Sequence, residues 1–144
     1  MKKLIIVAIA IFSLSSCMAD GKKEVVGVKD IPSAAQQILS SHFADGSVTA
    51  VIKETELFKT EYEVMFEGGA EIVFDADGVW KKIDCQRKSV PEKLVPAEIR
   101  NKVKASFPKA LIVEIEKDGK GFDVELNNGL DLKFNKKFKM TIDD

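Results

Sequence analysis

Two stretches of the chain change hydrophobic period in the same order, from a spacing of three and four residues to strict alternation. In the first, Ala35, Ile38, Leu39 and Phe43 fall on one face of a helix that Pro32 opens. A proline suits the first turn because its missing N–H would have had no partner there. In the second, Ile99, Val103 and Phe107 repeat the spacing after Pro96, and Pro108 stops it. Alternation then takes over, as half-buried strands require. Tyr62, Val64 and Phe66 oppose Glu61, Glu63 and Glu67, and Ile72 and Phe74 oppose Glu71, Val73 and Asp75. Further on, Phe122, Val124 and Leu126 alternate with Asp123 and Glu125, and Leu130, Leu132 and Phe134 with Asp131 and Lys133. Gly68-Gly69 and Asn128-Gly129 mark hairpins, since they favour backbone angles that branched residues avoid.

The two stretches align by subtraction. Ile31 and Val95, Pro32 and Pro96, Phe43 and Phe107, and Val51 and Ile115 all differ by 64. After a shorter hairpin in the second stretch the offset is 60 from Tyr62 and Phe122 to Phe74 and Phe134, and it is 59 where Ile83-Asp84 meets Ile142-Asp143. The expected fold is α+β: a tandem repeat of a helix followed by a four-stranded antiparallel meander, with the helices packed on one face of the sheet. The first repeat spans 31–85, a linker 86–94 and the second repeat 95–144. A unit of about fifty residues buries little core alone, so the two are expected to form one compact domain.

The first residues carry an address. Lys2 and Lys3 precede an apolar run from Leu4 to Phe12, which is too short to span a bilayer, and Leu14-Ser15-Ser16-Cys17 closes it. This is an export signal of the lipoprotein kind. Small residues admit the signal peptidase, and Cys17 receives the lipid and becomes the mature N-terminus; ordinary secretory cleavage after Ala19 is the alternative. Residues 1–16 are read as signal peptide and 17–30 as a tether, placing the protein in the envelope of a Gram-negative bacterium, periplasmic and anchored through Cys17.

Removing the signal leaves 20 basic against 23 acidic residues, a net charge of about −3. That excludes the concentrated basic face nucleic acid needs. With Cys17 acylated, Cys85 is a free thiol, most simply a small buried residue, and no disulfide framework supports the fold.

The run Val95-Pro96-Ala97-Glu98-Ile99, then Phe107-Pro108-Lys109-Ala110, Gly121-Phe122-Asp123-Val124-Glu125-Leu126 and Asn128-Gly129-Leu130-Asp131-Leu132-Lys133-Phe134 resembles the PepSY-like, beta-lactamase-inhibitor-like family of exported bacterial proteins. Tyr62-Glu63-Val64, Glu71-Ile72-Val73-Phe74-Asp75 and Trp80-Lys81-Lys82-Ile83-Asp84-Cys85 match in the first stretch, so the resemblance covers about residues 30–143. It implies an envelope location and a binding or inhibitory role, and it brings no catalytic residues or cofactor. The chain departs from the family at Asn135-Lys136-Lys137-Phe138, where an acidic, glycine-containing turn is usual.

The expected function is therefore a non-catalytic protein-binding or inhibitor-like envelope lipoprotein, its partner an envelope peptidase or another exported enzyme. Trp80 and Tyr62 are the candidate interface anchors, with core packing as the competing reading for both. The alternative is calcium or small-ligand binding. Asp75-Ala76-Asp77-Gly78 resembles the start of a calcium loop, with Asp75 and Asp77 as ligands, but the twelfth position is Gln86 rather than Glu, and Asp-Gly is also a common turn. The one histidine, His42, follows the helical pattern to its end, where a favourable charge–dipole contact accounts for it without catalysis.

Overall fold

The computed structural model describes residues 21–143, so the signal peptide, the cleavage site and Cys17 lie outside the described residues. The strands are β1 Gly21–Val26, β2 Val48–Glu56, β3 Lys59–Phe66, β4 Glu71–Asp75, β5 Trp80–Asp84, β6 Ile112–Asp118, β7 Gly121–Leu126, β8 Asp131–Asn135 and β9 Met140–Asp143. Helix α1, Ser33–His42, lies between β1 and β2, and α2, Ala97–Ser106, between β5 and β6. All nine strands pair antiparallel, in chain order, into one continuous sheet.

This corrects the expected architecture. The molecule is not a tandem helix-plus-four-strand repeat but one sheet-dominated body. β5 pairs directly with β6 through Lys82 and Glu116, Ile83 and Ile115, and Asp84 and Glu114, so hydrogen bonding runs unbroken across the supposed repeat boundary. Val51, Val64, Ile72, Ile83, Ile115, Val124 and Leu132 stand opposite one another on successive strands, each at most 2% exposed. This row shares a single core cluster with Ala35 and Leu39 of α1 and Ile99 and Val103 of α2. A ninth strand comes from the supposed tether, where Gly21–Val26 pairs along its whole length with β2. Its sequence, GKKEVV, hides it. Lysine-rich edges are how sheets discourage further pairing, and they erase the alternation that marks inner strands.

Pro32 and Pro96 stand at the N-caps of the helices, and the N–H groups of Phe43 and Phe107 close the last turns on Leu39 and Val103. Between these stops each helix runs ten residues, long enough to place two buried side chains on the sheet.

Candidate functional site

The structure scatters the residues that sequence reasoning singled out. Asp75 is bound up in its own turn: one carboxylate oxygen accepts from the N–H of Asp77 at 2.9 Å and of Val79 at 3.0 Å. Asn135 does the same with Lys137 and Lys139, both at 2.9 Å. Since a neutral amide builds the same turn, the Asp75 charge is not what the turn requires. Asp77 is exposed beside it. Among the described residues no three His, Cys, Asp or Glu side chains are placed to hold a metal ion. Gly78, at φ +82°, lets the turn seat against α1, where an added Cβ would lie 2.9 Å from the Ala35 nitrogen and from Pro32 Cβ.

Trp80 belongs to the core at 9% exposure, with the Lys117 ammonium 4.8 Å from its ring centre, and Tyr62 is half-buried against the same core. Neither presents the exposed aromatic surface expected of an interface anchor. Cys85 is buried without a disulfide partner among the described residues. Burial, reinforced by the nearby Asp84 charge, pushes its thiol up to about 11, so it is a poor nucleophile.

What the sheet does assemble is a row of carboxylates on the face away from the helices. Glu71 pairs with Asp84, Asp84 with Glu114, Glu114 with Glu125, Glu125 with Asp131, and Asp131 with Asp143. Six acids on six adjacent strands thus stand directly opposite one another, where side chains are about 5 Å apart and like charges destabilise. Strand alternation places Glu71, Glu125 and Asp131 on the wet side of their strands; the alignment of all six depends on register between strands, which alternation does not encode.

Two lysines from the neighbouring row enter this field. Lys82 Nζ lies 3.7 Å from Glu114 and Lys133 Nζ 3.1 Å from Asp143. Burial works against the Lys82 charge, yet attraction to Glu114, Glu71, Asp84 and Glu116 outweighs it and holds its pKa above the ordinary lysine value. Glu114 goes the other way. Burial lifts its carboxyl to about 7, and the repulsion of Asp84, Glu125 and Glu116 adds to it against the pull of Lys82. Glu71 is raised too, first by burial and then by Glu63. At the other end of the face, Lys81 and Lys59 both contact Glu61 and hold its carboxyl below the usual range despite partial burial.

Away from the sheet face, a groove of about 270 Å³ is lined by Val90, Val95, Arg100, Lys104 and Leu111 among others. The Arg100 Nε is buried without a hydrogen-bond acceptor.

A helix-backed antiparallel sheet carrying a charged open face is the class of molecule these features define. The chain belongs to the PepSY-like, beta-lactamase-inhibitor-like family, whose model matches residues 60–141. Among solved structures it is similar to a Bacteroides vulgatus protein provisionally described as periplasmic, from a family of unknown function, at 32% identity and a TM-score of 0.82, over 85% of this chain and 97% of that one. It is also similar to a Bacteroides thetaiotaomicron protein that bears the provisional description calcium-regulated periplasmic protein, at 36% identity and a TM-score of 0.79, over 85% and 97%. A further Bacteroides vulgatus protein, provisionally periplasmic and of unknown function, matches at 33% identity and a TM-score of 0.78, over 85% and 100%. No curated protein matches the chain.

Proposed function

We propose that the protein is a non-catalytic periplasmic binding module, lipid-anchored through Cys17, whose acidic sheet face receives a cationic surface of another envelope protein. The observation that carries this reading is the register of Glu71, Asp84, Glu114, Glu125, Asp131 and Asp143 on adjacent strands. Such a row raises the energy of the free protein, and a basic partner relieves it, which favours association and steers the encounter. The periplasmic neighbours support the location, and the inhibitor-like family supports a role in binding an exported enzyme, such as a peptidase, rather than in catalysis.

Calcium is the second reading. It is favoured by the 36% identity to a protein provisionally described as calcium-regulated. The ion requires six to eight oxygens at about 2.4 Å, so it would have to draw Glu71, Asp84 and Glu114 together rather than use the Asp75 turn.

Affinity capture from envelope extract tests both. The mature protein and a Glu114→Gln, Glu125→Gln, Asp131→Asn variant serve as baits, with calcium and with chelator. The proposal expects a protein of basic surface retained by the wild type in both conditions and lost from the variant. Retention only with calcium supports the second reading; equal retention by both baits rejects the acidic face as the site.

A further inference from the structure

The β2–β3 hairpin ends in Leu57 and Phe58, which are 78% and 107% exposed. Both have positive φ, 44° and 67°, and Glu56 pairs with Lys59 across them, making a two-residue turn of the type that Asn-Gly normally fills. Two bulky apolar residues are strained in that conformation and gain nothing from burial there, and strain of this kind points to function. The β6–β7 hairpin lacks this feature. Its turn is built conventionally, with the Asp118 carboxylate accepting from the N–H groups of Lys120 and Gly121.

The β2–β3 hairpin also reaches further. From the paired Val51 and Val64 it continues to Glu56 and Lys59, whereas from Ile115 and Val124 the other stops at Asp118 and Gly121. Two extra residue pairs carry the Leu57-Phe58 tip about 7 Å beyond the level of its neighbour.

The chain's N-terminal exit sits at this tip. Gly21 pairs with Glu56, the residue just before Leu57. Residues 18–20 alone separate Gly21 from Cys17 in sequence, so a lipid on Cys17 lies within about 14 Å of this corner. The surrounding charges cancel: Lys22 pairs with Glu24 at 2.6 Å, Lys23 with Glu54 at 3.7 Å and Lys59 with Glu61 at 3.1 Å. Among the described residues these lysines at the tip are each paired with a glutamate rather than gathered into a basic patch, so the occupant that fits the tip is the neutral boundary between lipid headgroups and acyl chains.

We propose that Leu57 and Phe58 form a membrane-docking tip, inserted into the leaflet that holds the Cys17 lipid. The inference rests on the lipoprotein reading. Docking gives the protein a fixed orientation: at β4 the acidic row is presented about 20 Å from the bilayer, the length of six strand residues from Lys59 to Met65, which pairs with Glu71.

The test uses the full chain expressed with its signal, purified from membranes and reconstituted in phosphatidylcholine vesicles. Mass spectrometry reads acylation of Cys17. Phe58→Trp reports depth, with the parent protein as baseline for buried Trp80. The proposal expects a blue-shifted emission from the introduced tryptophan, quenched about twofold by lipids spin-labelled near the headgroup and unchanged between low and high salt. Acylated protein whose introduced tryptophan stays water-exposed and unquenched overturns the docking and leaves the anchor standing. Unmodified Cys17 removes the anchor and the docking with it. A blue shift seen in native envelopes but not in vesicles assigns the tip to a protein and overturns the proposal. Leu57→Asn with Phe58→Gly is the folding control: it is expected to match or exceed wild-type stability, and a collapse would make the tip a structural element instead.

Discussion

Glu114 concentrates the electrostatics of the open face in one titration. Its folded-state pKa, about 7, stands above the ordinary 4.5 because burial disfavours the carboxylate and neighbouring acids repel it. A raised pKa means that the folded protein binds the proton more tightly than the unfolded chain does. The contribution therefore favours folding in full below about pH 4.5 and is lost as pH rises through 7. Its size is about 3 kcal/mol, an upper figure given the partial screening of this face. Urea unfolding at about pH 5 and pH 8 checks this: wild-type stability should fall between the two, and Glu114→Gln should remove most of that slope and be the more stable protein at the higher pH. An unchanged slope in the variant would place the repulsion elsewhere. This residue also marks the limit of what the chain declares about itself. Alternation around Ile115 says that Glu114 faces outward, but only strand pairing puts it opposite Asp84 on one side and Glu125 on the other. Trp80 shows the same limit, since a bulge between Val73 and Phe74 shifts its strand register and turns the ring into the core.

Turns were the most legible elements, because their chemistry is local. Gly68-Gly69 and Asn128-Gly129 sit where hairpins were expected, with positive φ at Gly68, Gly69 and Gly129. Asp75-Ala76-Asp77-Gly78 is a turn as well, and its two prominent residues have separable roles. Asp75→Asn should leave stability within about 0.5 kcal/mol, because Asn135 shows that an amide oxygen makes the same two bonds. Gly78→Ala should cost about 1–3 kcal/mol, because the position combines φ +82° with contact against α1 at 2.9 Å. Thermal unfolding of both variants decides it; a large loss from Asp75→Asn would return the carboxylate to a binding role. The edge strand β1 was illegible for the opposite reason. Even the nearest pair between β1 and its partner β2, Val26 and Val51, is 25 residues apart in sequence with α1 between, and little in the sequence of β1 declares a strand.

For the whole molecule, matching spacings implied two units, while hydrogen bonding makes one. Sequence offsets compare segments with each other and are silent on whether β5 and β6 meet. Ile83 and Ile115, neither with any exposed surface, show that they do, and the apolar row that crosses them continues from β2 to β8. A continuous sheet has a consequence for binding, since only an unbroken run of strands can set six carboxylates in line across β4 to β9. Site-specific photo-crosslinking in living cells addresses that face most directly. A photoreactive residue replaces Lys133 on the open face in one strain and Ser40 on the exposed side of α1 in another, each with and without Glu114→Gln and Glu125→Gln. The account predicts adducts with an envelope protein from the Lys133 position only, lost when the two glutamates are neutralised. Adducts from the Ser40 position alone, or adducts at Lys133 indifferent to those substitutions, would contradict it.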